Sequence, residues 1–248
     1  MSTTLAKRLA RAAALPYRGS GMGFEAHHYY HFARGKLGMD PIYLAMLERG
    51  YIHDGARVLD LGCGQLLLAP LLRSARQLYD RGDWFKDWPA PPINVQLHGI
   101  ELRASVVAAA KKSLHGLATI ECGDLRDVTI PANDVTVMMD VIHYLEPAAQ
   151  VALLQRIRDA LPVNGLFITR VVNTRAGLRY WVTRVGDQLI TLLRSAMAFS
   201  PSWPSFYVRS LHEWHALLEE VGFSVTMTSM SAGTPFANVM IEARRRVA

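Results

Sequence analysis

The sequence predicts an α/β fold: a seven-stranded sheet with helices on both faces, an N-terminal helical cap and a helical insert after the fifth strand. Three observations predict it. Short runs rich in Val, Ile and Leu alternate with longer segments of helical period, the pattern of buried strands with helices between them. One such run, Arg57 to Leu61, breaks into Gly62-Cys63-Gly64 and then a helix, which brings backbone N–H groups and a helix N-terminus close to a ligand. The chain has 248 residues, half of them apolar, enough for one large domain with a sizeable core.

The glycine turn also limits the ligand. Asp60 stands where a pyrophosphate would pass, and two negative groups would repel. Leu67 occupies the third glycine position of the dinucleotide fingerprint. A carboxylate here suits a ligand with a positive end. A plain strand-to-helix turn is the competing reading.

Composition excludes several classes. No uninterrupted apolar run of about 18 residues exists, so no membrane span is expected. Residues 1–17 are basic but lack a long apolar core, which makes a poor signal peptide. The two cysteines, Cys63 and Cys122, have no metal-ligand spacing and suit a reducing, cytoplasmic setting. The net charge of +6 favours an acidic partner or surface without specifying nucleic acid.

In chain order, Leu5, Leu9 and Ala12–Ala13 lie opposite Lys7, Arg8 and Arg11, a short basic amphipathic helix that either frays on the surface or touches a membrane. After a Gly-rich loop, His27 to Lys36 crowds histidines and aromatics that cannot all face a core. Adjacent histidines point apart on a helix, so no metal is expected there. Asp40-Pro41 opens a helix as N-cap and N1, ending at Gly50. The helix after the glycine turn runs over 66–79. The stretch 80–92, with Trp84, Phe85, Trp88 and three prolines, is a loop whose aromatics must pack somewhere.

Strand two is 93–102 and carries Glu101 at its end. An acid there accepts hydrogen bonds from ribose hydroxyls in nucleoside-binding α/β folds. Its separation from the glycines is nearly double the usual value of about 20 residues, and the 80–92 insert supplies the excess. A helix over 104–114, strand three (118–121), strand four (134–139), a helix over 147–161 and strand five (166–172) follow. Ser210 and Glu213 form a capping box for a helix ending at Gly222, and strands are expected at 223–230 and 237–243.

Val58 to Gly64, Glu101, Cys122-Gly123-Asp124-Leu125, Asp140-Val141-Ile142-His143-Tyr144 and the Gly165 turn occur in the order of the class I S-adenosylmethionine (SAM) methyltransferases, which the chain resembles over about residues 50–245. The resemblance implies a Rossmann-like sheet closed by an antiparallel hairpin, with SAM as cofactor and S-adenosylhomocysteine as product, and no metal. It assigns Asp60, Gly62, Cys63 and Gly64 to the methionine end, Glu101 and Leu102 to the ribose region, Asp124 and Leu125 to adenine, and Asp140 to the motif after strand four. Leu66 departs from the family, which often has a third glycine there. A narrower resemblance rests on Tyr30 to Leu37, the aromatic insert and Met230 to Val239. It is to methyltransferases of aryl-polyene (xanthomonadin-like) pigment clusters, and it implies an aromatic or phenolic acceptor, methylated on carbon or oxygen.

On this reading a single domain divides into a helical cap (1–50), a SAM-binding core (51–173), a helical lid insert (174–209) and a C-terminal helix with hairpin strands (210–248). His143 is the candidate general base, because histidine titrates near the working pH and the end of strand four lies beside the transferred methyl. Tyr144 is the second catalytic candidate. Tyr30 or Phe32 is expected against the ligand, with Arg34 near a carboxylate of SAM or of an aryl acid. The insert carries Arg175, Arg179, Arg184, Arg194 and Arg209 against Asp187 alone. It is read as a lid whose charge suits an acyl carrier protein or an anionic membrane surface, peripheral to the inner membrane, or simply solvent.

The alternatives are a SAM-binding module without catalysis, an RNA or DNA methyltransferase, and a nicotinamide dehydrogenase. The intact acids oppose the first, the absence of an Asn/Asp-Pro-Pro-aromatic motif makes nucleic acid a poor partner, and Asp60 with Leu67 opposes the third.

Overall fold

In the computed structural model the described residues are 3–19, 24–177 and 206–247. The parallel strands are β1 (Arg57–Leu61), β2 (Gln96–Glu101), β3 (Thr119–Cys122), β4 (Val135–Met139) and β5 (Leu166–Val172). Two antiparallel strands follow, β6 (Phe223–Ser229) and β7 (Asn238–Arg245), and the sheet order is β3-β2-β1-β4-β5-β7-β6. The order reverses between β1 and β4, so a crevice opens at their carboxyl ends.

Strand alternation splits the core into two. Val58, Val135, Val137, Leu166 and Ile168 face one side, while Leu59, Leu61, Met138 and Phe167 face the other. The first side is covered by α1 (Thr3–Ala14), the 3-10 turn Leu15–Gly19, α2 (Phe24–Met39), α3 (Pro41–Glu48), α4 (Leu68–Asp80) and α5 (Ala104–Leu114). The second is covered by α6 (Pro147–Ala160) and α7 (Leu211–Val221). Asp60 and Arg170 fall, by the same alternation, on the first side, under the N-terminal helices.

The N-terminal helix is neither frayed nor peripheral. Leu9, Ala13 and Ala14 have no exposure, and α1 packs on α2 and α4. Burying a leucine contributes about 1.5–3 kcal/mol, enough to outweigh the fraying tendency of a helix this short. Its basic residues stay outside, with Arg8 on Asp83 at 2.7 Å.

Two boundaries move for backbone reasons. Leu66 and Asn94 both have φ of 55°, so the helix starts at Leu68 and the strand at Gln96, later than the sequence suggests. The aromatics of 80–92 pack on one another: Phe85 stacks on Trp88 at 3.9 Å, and the Trp84 indole N–H donates to the Pro89 carbonyl. Asp40 caps α3 by accepting from the Ile42 N–H, and the Ser210–Glu213 capping box is formed on both arms.

Among the described residues, no helix is long and apolar enough to cross a membrane, and no three His, Cys, Asp or Glu are grouped to hold a metal ion. The insert lies outside the described residues from 178 to 205, including Arg179, Arg184, Asp187 and Arg194.

Candidate active site

At the end of β1 the chain turns through Gly62 (φ 66°) and Gly64 (φ 55°). A Cβ on Gly62 would come within 2.4 Å of Val141, which fixes the turn against the segment after β4. A Cβ on Gly64 would meet nothing within 4 Å, so this glycine borders open space. Glu101, buried at the end of β2, accepts from the Gly64 N–H at 3.0 Å and from the Arg103 N–H and Nε at 3.1 and 2.7 Å. One carboxylate therefore holds both the glycine turn and the start of α5. Oε1 takes both Arg103 donors, and Oε2, which takes only the Gly64 N–H, keeps lone-pair capacity for a ligand hydroxyl.

Asp60 is buried beside this pair and has no hydrogen bond and no cation among the described residues. Burial first, then the nearby Glu101 charge, pushes its carboxyl up to about 8. Cys63 is half-buried, its thiol pushed up by burial and by the same two carboxylates. Its side chain occupies the space beside Gly99, where a Cβ would sit 2.7 Å from the sulfur.

Past β2, Leu102 is 62% exposed, an apolar side chain with no protein cover at a strand end. Asp124 sits at the end of β3, where Arg126 pairs with both its oxygens and, first by that hydrogen bonding, holds its carboxyl below the usual range. The Leu125 side chain is buried in the α6–α7 core and its carbonyl accepts from Arg156. Only its backbone remains for a ligand.

The β4 side is built differently. Asp140 (φ 59°), its side chain still partly exposed, pairs with Arg170 of β5 and, at 2.7 Å, with Lys36 of α2. Arg170, almost fully buried, also pairs with Asp40, and Lys36 reaches Asp40 at 3.1 Å. Burial would raise the Asp40 carboxyl, but Arg170, Lys36 and the Ile42 N–H more than offset this and hold it low. This four-charge network fastens the N-terminal helices to the carboxyl ends of β4 and β5. Arg34 is exposed, with no ion pair among the described residues, while Lys36 two positions on makes the contact with Asp140. Tyr30 is half-buried, with its ring beside His31 and under the Arg18 guanidinium at 5.5 Å.

His143 lies in the short 3-10 turn Ile142–Tyr144. Phe206 stacks on its ring at 5.5 Å and an interplanar angle of 17°, and Tyr144 lies 4.4 Å away. Burial lowers its imidazole to about 4, so it is neutral at physiological pH, and its Nε2 has no partner among the described residues. The turn is held by Gln150, fully buried on α6, which donates to the carbonyls of Ile142, Leu145 and Tyr207 and accepts from Arg209. The Tyr207 N–H donates to the His143 carbonyl.

Sequence reasoning missed Arg170, Lys36, Gln150, Phe206 and Tyr17. Arg170 alone left a signal, a charge in the middle of an apolar strand, which must find a partner when buried.

Comparison with known proteins identifies the fold and the family. A match to the carboxy-S-adenosyl-L-methionine synthase of Shewanella piezotolerans is 24% identical over 127 residues, covering 49% of this chain and 46% of that protein. The chain thus spans about half the length of this curated relative. Among solved structures, the apo SAM-dependent methyltransferase SibL aligns with a TM-score of 0.60 at 18% identity, over 92% of this chain and 60% of its own. Magnesium protoporphyrin IX methyltransferase from Synechocystis PCC 6803, with bound S-adenosylhomocysteine, aligns at 0.55 and 16%, over 99% and 100%. Human N-acetylserotonin methyltransferase in complex with SAM aligns at 0.56 and 16%, over 97% and 67%. These likenesses establish the class I methyltransferase fold. Residues 92–224, more than half of the chain and the stretch that carries Glu101, Asp124, Asp140 and His143, match the O-methyltransferase domain, and the chain belongs to that family.

Proposed function

We propose that this protein transfers a methyl group from SAM to the hydroxyl of a small aromatic acceptor. The observation that carries the reading is Asp60: a buried carboxyl group beside a second carboxylate, with no cation among the described residues, next to the open face of Gly64. A buried charge without a partner is costly, and a ligand with an ammonium and a sulfonium supplies the missing positive charge. SAM, when bound, brings an electrophilic methyl group. Asp60 and the Gly62–Gly64 turn would hold its amino-acid end, Glu101 its ribose, and Leu102 and the Asp124 turn its base. Related proteins bind SAM or S-adenosylhomocysteine on this fold.

For the acceptor, His143 is the base. Its imidazole is neutral, so it accepts a proton without first losing one, although burial weakens its basicity. Tyr144 and Phe206 beside it offer ring faces to a planar acceptor. His143→Gln should lower turnover at least tenfold, about 1.4 kcal/mol or more in barrier, with SAM affinity within twofold. Near-normal turnover would move the role to Tyr144. A SAM-consumption assay across phenolic acids and their thioesters identifies the acceptor.

The resemblance to pigment-cluster enzymes supports an aryl-polyene head group delivered on an acidic carrier protein in the cytoplasm. The arginines of the insert suit such a partner by charge, which acts mainly on encounter rate and weakens with salt. Reversing Arg179 and Arg184 to Glu should raise the KM of a carrier-bound acceptor and spare a free phenol. Equal response of both substrates would end the carrier reading.

A further inference from the structure

We infer that Tyr17 is a positioning residue for cofactor binding: its hydroxyl fixes the peptide planes on both sides of Leu66 and so holds the glycine turn in the shape that receives SAM. The inference rests on the reading that SAM occupies this turn.

Tyr17 belongs to the 3-10 turn Leu15–Gly19, far in sequence from the site, and is almost completely buried. Its hydroxyl donates to the Gln65 carbonyl at 2.8 Å and shares that hydrogen, more weakly, with the Leu66 carbonyl at 3.4 Å. These two carbonyls belong to the peptide units before and after Leu66. Their orientations define the φ and ψ of Leu66, so one donor restrains both dihedrals.

That restraint matters because Leu66 is left-handed, with φ of 55°. A leucine resists this region and a glycine does not. The residue cannot relax by swinging its side chain away. It has no exposure, and its Cδ1 would lie 2.9 Å from a Cβ on Gly99. The strained residue is two positions from Gly64, and its own N–H closes the turn onto the Cys63 carbonyl at 2.9 Å. A relaxed Leu66 would therefore displace the turn that borders the open space. The N-terminal cap thus supplies what the family's glycine would supply by itself.

Tyr17→Phe keeps the ring and deletes only the hydroxyl. It should weaken SAM about tenfold by calorimetry, the loss of one buried hydrogen bond, and speed amide exchange over residues 62–69 in the ligand-free protein. Leu218→Ala, in the opposite core, should lower the melting temperature and leave both readouts unchanged, which separates positioning from general destabilisation. With Leu66→Gly, or Leu66→Asn should the glycine variant not fold, the hydroxyl becomes dispensable and Tyr17→Phe should cost less than about threefold. Unchanged affinity in Tyr17→Phe, or equal losses in both backgrounds, overturns the inference. Glu101→Ala distinguishes the two levels: if it weakens SAM while Tyr17→Phe does not, only the role of Tyr17 fails, and if neither does, the site itself is misplaced.

Discussion

On the β1–β2 side of the crevice, carboxylates accept from backbone N–H groups: Glu101 takes those of Gly64 and Arg103, and Asp124 takes that of Arg126. On the β4–β5 side, side chains join segments remote in sequence. Lys36 reaches Asp140, Arg170 reaches Asp40, and Gln150 reaches Tyr207. The first side also leaves a carboxylate, Asp60, without a counter-charge among the described residues, whereas the second pairs each of its charges. On the proposed function, the first side receives charge from SAM and the second stays rigid while the acceptor reacts.

The largest effect should come from breaking the rigid side. Arg170→Met leaves Asp40 and Asp140 sharing only Lys36, and removing one partner of a buried ion network costs about 3–5 kcal/mol. Denaturant unfolding should show that loss, and an unchanged midpoint would mean that the network contributes nothing. The Asp40 carboxyl is held low in the folded protein, so its contribution is present at neutral pH and lost as the pH falls through its folded value. The wild-type advantage over Arg170→Met should therefore shrink in acid.

Glu101→Ala is the matching cut on the receptive side. It should cost roughly 2–4 kcal/mol of SAM affinity, because charge-assisted acceptors are lost in a buried site. Unfolding should change less than in Arg170→Met. If the two variants exchange these signatures, the division between the two sides is wrong.

Gln150→Leu is a gentler cut. It removes the Gln150 donor from the carbonyls of Leu145 and Tyr207 at a fully buried position, while the Ile142 carbonyl keeps the Leu145 N–H, and should cost about 1–3 kcal/mol of stability. Turnover should fall while SAM affinity holds, since the turn it anchors carries His143. Equal loss of both would place Gln150 in general packing.

The smallest effect concerns Asp60 in the ligand-free protein. Its folded value, about 8, lies above that of the unfolded chain, so the folded state keeps a proton that the unfolded state has released. Stability therefore falls as the pH rises from the ordinary carboxylate range towards 8. Asp60→Asn should remove this slope and raise the ligand-free melting temperature at pH 8 by about 2–4 °C, the shift that about 1 kcal/mol produces in a chain this size. SAM binding should weaken in the same variant. A lower melting temperature would show that Asp60 already has a partner.

The sequence by itself determined the elements and the receptive side. Strand runs, caps and glycines act over a few residues, so Asp40, the Ser210 box, and the Asp60–Gly64 and Glu101 positions were legible from local spacing. Only the tertiary structure decided the rest. That Lys36 meets Asp140 depends on how α2 lies across the sheet, and two positions along a helix turn a side chain by more than half a circle. Leu125 reads as a site residue from its neighbours, yet the packing of α6 and α7 claims its side chain. Tyr17 meets Gln65 and Leu66 across 48 and 49 residues, a pairing set by how the N-terminal segment packs and recorded in no local pattern. Local rules fix which backbone conformations are cheap, and burial of one face against another fixes which distant side chains meet.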